Sequence, residues 1–243
     1  MKKRRIFRNL NDKEFAWVLY DVGNSAYTML ACALIPIWFK AMAIGTKPGQ
    51  LTSDRATAYY SMAIAVITIV VALLGPVCGA ISDYKGMKKI FFTSTVAVGV
   101  CGCILNGFAC QWIVFLLLFA ATKIFYNMSL MFYDSMLNDI TTEERMDEVS
   151  SYGYAWGYLG SCIPFLIALV AYVLGPDMAG IISGKLSMAI GFAVTGLWWL
   201  LVTVPLIKNY KQINYVEKKE HAVRSAFRRI FETIRFIATK DKK

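Results

Sequence analysis

The sequence holds a single histidine, His221, among its 243 residues. That leaves no histidine in the body of the chain for a Ser-His-Asp triad or an HExxH zinc site. Six cysteines are present (Cys32, Cys78, Cys101, Cys103, Cys110 and Cys162), but none forms a CxxC pair and most fall in apolar runs. Zinc and a disulfide framework are set aside, and small packing residues are expected instead. A phosphate loop is missing too. In Ser183 to Ser187 (SGKLS), Leu186 follows the lysine and Ala179 occupies the first glycine position. Neither an enzyme nor a cofactor is expected. Charge is sparse at 17%, and acidic charge is the scarcer, with 16 Asp and Glu against 26 Lys and Arg. Low-complexity segments are absent.

Apolar residues are what the chain has in excess. They make up 57% of it, with a mean hydropathy of +0.50, and they recur in runs of spanning length. Crossing a hydrocarbon core of roughly 30 Å takes about 20 such residues in a helix. Six runs qualify: Ala16 to Ala43, Ala56 to Ser82, Ile90 to Phe108, Trp112 to Leu137, Val149 to Leu174 and Leu186 to Ile207. The first follows a basic N-terminus but is too long for a secretory signal, carries Asp21 and lacks a small-residue cleavage site, so it is read as retained. The chain divides into a basic N-terminus (1–15), a transmembrane bundle (16–207) and a basic tail (208–243). The fold class is all-α, a polytopic membrane protein.

A net charge of +10 invites a nucleic-acid reading, but the charges are placed for topology. Of the 26 Lys and Arg, 21 fall before Ala16, in Tyr84 to Lys89, in Asn138 to Glu148 and from Lys208 onward. Only Lys47, Arg55 and Lys185 fall on the opposite side. This bias predicts both termini in the cytoplasm and membrane lipid, not nucleic acid, as the partner. In the tail, Val223, Phe227, Ile230, Ile234 and Ile237 follow helical spacing, with Arg224, Arg228 and Arg235 elsewhere around the helix. Such a helix suits an anionic leaflet. The sequon Asn127-Met128-Ser129 is membrane-buried and expected to stay unmodified.

Two spans carry polar stripes. Asp21, Asn24, Thr28 and Cys32 share one face of the first, and Lys123, Asn127 and Asp134 one face of the fourth. A carboxylate or ammonium facing lipid costs several kcal/mol, about 3 on insertion scales, so these faces are expected to turn toward other helices or a watery path. Lys123 lies about 20 Å from the inner end at 1.5 Å per residue. Asp134, three turns along the same helix, is too far to pair with it, and Asp21 is similarly offset. Lys123 is therefore expected to face the central cavity, contacting solute or a counter-charge from outside the six spans. In the fifth span Gly153, Gly157 and Ser161 form a small-residue ridge for close helix packing. In the polar connection Thr141 to Asp147, Thr141 or Thr142 is available as an N-cap.

The strongest local motif is GAISDYKGMKK, Gly79 to Lys89, with the spacing Gly-x3-Asp-x2-Gly-x-Lys-Lys. Gly79 admits a neighbouring helix, and Asp83 is available to a helix N-terminus or a cation. Gly86 turns the chain, and Lys88 and Lys89 hold the loop inside. This motif resembles the signature between the second and third helices of the major facilitator superfamily. YDVGNSAY in the first span and NDITTEERMDEVSSYGYAWGYLG after the fourth resemble the branch containing the vacuolar amino-acid effluxers and their bacterial relatives. Tyr84 and Met87 depart from the superfamily's basic residues, and Val22 from the branch's tryptophan.

The resemblance implies half of a twelve-helix fold, built as two three-helix inverted repeats. It also implies alternating-access transport of a small polar solute, amino acids among the candidates, across the plasma membrane. Asp21, Asn24, Thr28, Lys123, Asn127 and Asp134 would line the transport path, with Gly79, Asp83, Gly86, Lys88 and Lys89 as a cytoplasmic gating motif. A second six-helix half is then expected, as a separate chain, a second copy or a missing C-terminal half. The alternative is a membrane scaffold or truncated product that kept the fold and lost the path.

Overall fold

The computed structural model describes residues 9–176 and 178–217. The basic residues Lys2 to Arg8 and the amphipathic pattern from Val223 lie outside them. Six helices long and apolar enough to cross a membrane follow in order: α1 (Asp12–Ala43), α2 (Ser53–Ser82), α3 (Met87–Asn106), α4 (Trp112–Ile140), α5 (Met146–Val173) and α6 (Gly184–Asn209). A 3-10 turn, Glu143–Arg145, precedes α5.

Most ends depart from the hydropathy boundaries for local reasons. α1 starts four residues before Ala16 because Asn11 and Glu14 form a capping box: the Asn11 side chain accepts from the Glu14 amide at 2.9 Å, and the Asn11 amide donates to Glu14 at 2.8 Å. α4 runs past Leu137 to Ile140, which puts Asp139 on a helix. Neither threonine caps through its side chain; the Thr141 hydroxyl donates to Glu14 at 2.8 Å.

α1 is the central post, packed against α4, α5 and α6 and more lightly against α2. Exchanging the first three helices for the last three carries most packed pairs onto packed pairs, although α5–α6 is much more extensive than α2–α3 and α1–α2 has no comparable α4–α5 counterpart. α1 meets α5 as α4 meets α2, α1 meets α6 as α4 meets α3, and the pairs α1–α4 and α3–α6 are their own images. That is the contact pattern of two three-helix repeats. The core is aromatic: Trp17 stacks on Tyr133 at 4.2 Å, and Trp199 meets both Tyr27 and Tyr126. Pro36, Pro76, Pro164 and Pro205 all sit inside helices, as membrane helices tolerate.

Outward faces are apolar, above all on α2 (Met62, Ile69, Leu73) and α5 (Leu159, Ile163, Val170). Hydrocarbon or further helices suit these faces and water does not. Only two of the six cysteines are the packing residues expected from the sequence, Cys103 in the core and Cys78 partly buried against it. Cys32, Cys101, Cys110 and Cys162 lie on the outside.

Candidate functional site

α1, α4 and α5 enclose a cavity of about 370 Å³. α1 contributes Trp17, Asp21, Asn24, Ser25, Thr28 and Met29; α4 contributes Leu130, Tyr133, Asp134 and Leu137; α5 contributes Ser150, Tyr154, Tyr158 and Ser161. The volume falls at the lower end of the roughly 300–1,000 Å³ usual for ligand pockets. Asn24 is buried, and its amide donates to Asp21 Oδ1 at 3.1 Å and to the Tyr20 carbonyl at 3.3 Å. Thr28 shares a hydrogen bond with the Tyr126 hydroxyl at 2.5 Å, tying the cavity floor to the aromatic core.

The glycine ridge on α5 makes room for Asp21. A Cβ at Gly157 would sit 3.0 Å from both Asp21 Oδ2 and Ser25 Oγ, and one at Gly153 would sit 3.0 Å from the Trp17 ring. Ser161 completes the ridge, with its hydroxyl on the Tyr158 carbonyl at 3.0 Å and against Met29.

Lys123 and Asn127 are not among the lining residues. The Lys123 ammonium lies 4.5 Å from the centroid of the Tyr126 ring and 5.6 Å from that of Tyr27. The expectation that Lys123 has no partner within the six spans is therefore corrected, because aromatic faces stabilise a desolvated cation without a carboxylate. Asn127 is partly buried one turn along the same helix, between Lys123 and Asp134.

A second constellation closes the end of the bundle that carries the α2–α3 turn. Lys88 is 4% exposed, so it is not the solvated topology charge its sequence position implies. Its ammonium lies 3.8 Å from Asp83 and 3.7 Å from Asp139, and donates to the Ser135 carbonyl at 3.3 Å. Asp139, with its side chain fully buried, also accepts from Tyr210 Oη at 2.5 Å and from the amides of Ile213 and Asn214 at 3.2 and 2.7 Å. Lys89 donates to the Tyr210 carbonyl at 3.4 Å. Gly86 turns with φ of 78°, a left-handed conformation that favours glycine, and its amide donates to Gln212. Gly79 meets only the Met131 sulfur, at 4.0 Å from an ideal Cβ, so no helix within the six requires its missing side chain. Residues 210–216 thus strap the α2–α3 turn to the end of α4, and the Val216 amide donates to the Asp83 carbonyl at 2.8 Å.

Residues 17–238 match the Major Facilitator Superfamily. The chain belongs to that superfamily. It is also 34% identical over 235 residues to the uncharacterized MFS-type transporter YxiO of Bacillus subtilis (strain 168), covering 96% of this chain and 54% of YxiO. The chain therefore spans about half the length of this curated relative. Members of the superfamily are membrane transporters and not enzymes, and the six helices form a unit consistent with half of the superfamily's fold.

Within that fold, the structure brings Asp21, Asn24, Thr28 and Asp134 to one cavity, and Gly86, Asp83, Lys88 and Lys89 to one closed end. Three charged residues of this end went unread in the sequence: Asp139, Glu14 and Arg145. Glu14 is 1% exposed and takes Arg145 at 3.0 Å, while Arg145 also donates to the Asn9 carbonyl. The capping-box spacing Asn11-x-x-Glu14 was the available signal for Glu14. Asp139 had none, because its partners at 210–214 are brought back only by the fold.

Proposed function

We propose that the six-helix unit is the N-terminal half of a secondary transporter that moves a small polar solute, amino acids among the candidates, by alternating access. The path runs through the α1–α4–α5 cavity, with Asp21, Asn24, Thr28 and Asp134 at the solute. Asn127 acts on α4 beside the Thr28–Tyr126 bridge, and Lys123 deeper along the same helix, beyond it. A second six-helix half covers the open side, and the whole sits in the plasma membrane with both termini cytoplasmic.

The observation that carries this reading is the placement of Asp134. It is six residues from the end of α4, about 9 Å along the axis at about 1.5 Å per residue, yet exposed at the rim of the cavity. A carboxylate at that depth requires water or another protein surface. At the basic end, the Asp83–Lys88–Asp139 cluster and the strap beside it form the gate. Gly79 is left free for a helix of the second half.

The test is solute flux into liposomes containing the complete transporter, assayed against a panel of labelled amino acids. Saturable flux that an Asp21→Asn variant loses supports the proposal. A correctly inserted protein that moves no member of the panel favours the scaffold reading.

A further inference from the structure

The lining of the α1–α4–α5 cavity is unbalanced in charge and in hydrogen-bonding capacity. It holds two carboxylates, Asp21 and Asp134, and no lysine, arginine or histidine among its lining residues. Neither carboxylate has an ion-pair partner among the described residues. The Asn24 amide is engaged on Tyr20 and Asp21 and the Ser161 hydroxyl on Tyr158 and Met29, and the other polar lining side chains, the hydroxyls of Ser25, Ser150, Tyr154 and Tyr158, are neutral groups that can accept as well as donate. Asp134 receives no hydrogen bond from any described residue, so the only charged groups in the lining are two carboxylates with acceptor capacity to spare.

A separate observation points to a ligand. Tyr133, which lines the cavity and is 3% exposed, has a buried hydroxyl with no hydrogen-bond partner. Asp21, Asp134 and Tyr154 line the same cavity. A buried polar group without a partner is costly, which marks it as a place where a ligand completes the hydrogen bonding. The walls add aromatic surface, because Tyr154 and Tyr158 line the same space and are exposed, while the Trp17 and Tyr133 rings are stacked on each other behind them. Aromatic faces attract cations through their quadrupoles.

We propose that this cavity recognises the protonated amine of its solute, an ammonium group whose N–H donors are taken by the Asp21 and Asp134 carboxylates and the Tyr133 hydroxyl. The proposal rests on the transport reading for its setting and specifies the solute's chemistry. A solute whose only charge is negative would meet two carboxylates and no cation, and a neutral alcohol leaves their charge uncompensated. Lys123 does not compete, since it lies outside the cavity and is engaged by Tyr27 and Tyr126.

Butylammonium, butanol and butyrate share a carbon chain and differ in charge, so they serve as probes. Saturation-transfer NMR on the purified 243-residue chain in nanodiscs at low salt reads which of them binds. Butylammonium is expected to bind, with butanol and butyrate at least tenfold weaker. Asp134→Asn, at the exposed rim where folding is least disturbed, weakens butylammonium about tenfold, the equivalent of about 1.4 kcal/mol. Tyr133→Phe weakens it as well, while leaving the Trp17 stack in place. Equal binding of the three probes, a preference for butyrate, or an unaffected Asp134→Asn variant overturns the inference. Flux by the complete transporter of solutes that carry no amine, with no preference for their amine-bearing counterparts, overturns this inference alone. Ammonium-selective binding in a complete transporter that moves no solute supports the inference and overturns the transport reading.

Discussion

Asp139→Ala tests the closed end of the bundle. The wild-type carboxylate receives Tyr210 Oη and the amides of Ile213 and Asn214, and faces Lys88 at 3.7 Å. Hydrogen bonds to a charged group net about 1.5–3 kcal/mol each, and losing one partner of a buried ion pair costs about 3–5 kcal/mol. The strap keeps other ties, from Val216 to Asp83, from Gln212 to Ser82 and Gly86, and from Asn214 to Asn138. The lower figure, about 3 kcal/mol, is therefore the appropriate expectation, and at 1.4 kcal/mol per decade it raises the opened population of the strap about a hundredfold. Trypsin reads this directly, because Lys211 lies inside the strap. When opening and reclosing are fast relative to cleavage, the rate follows the opened population. Mass spectrometry of the purified protein should show cleavage after Lys211 about a hundredfold faster in Asp139→Ala. Asp139→Asn, which keeps an acceptor for the two amides but loses the charge facing Lys88, should be intermediate. Asp134→Ala, on the same helix but in the cavity, should not change the rate. An unchanged cleavage rate in Asp139→Ala would refute the strap as described.

Gly157→Val should cost about 1–3 kcal/mol through overpacking against Asp21 and Ser25, lowering the thermal midpoint of the detergent-purified protein, whereas Gly79→Ala meets only Met131 and should leave it unchanged or raised. Lys123→Met should insert as well as the wild type or better, since it removes a buried charge, yet abolish flux by the complete transporter; wild-type flux by that variant would remove Lys123 from the path. Reporter fusions before Lys2 and after Lys243 should both behave as cytoplasmic, and an external C-terminus would contradict the reading of the charge bias.

The helices were legible because hydrophobic length is a strong signal, and all six runs became membrane-length helices. The polar stripe of α1 was legible for the same reason, since a lone carboxylate in an apolar run stands out. Lys123 was equally visible, but its partners were not. Tyr27 and Tyr126 look like ordinary core aromatics in sequence, and only the fold sets their rings beside an ammonium. Lys88 was misread because a lysine in a basic turn is usually solvated. It is buried here by Asp139 and by the strap that returns across more than 70 residues to meet α4. The three-helix symmetry was implied by family resemblance, and the exchange of contacts between the two triplets supplies it with physical content.

Thiol accessibility at Ser25 tests the central claim most directly. Ser25 lines the cavity beside Asp21 and opposite the Gly157 backbone. In the complete transporter with the native cysteines replaced, Ser25→Cys should react with a membrane-impermeant thiol reagent applied from either side of the bilayer, because an alternating path opens to each side in turn. A transported solute should protect the thiol from both directions. Modification from one side only, unaltered by solute, would contradict a transport path between α1, α4 and α5.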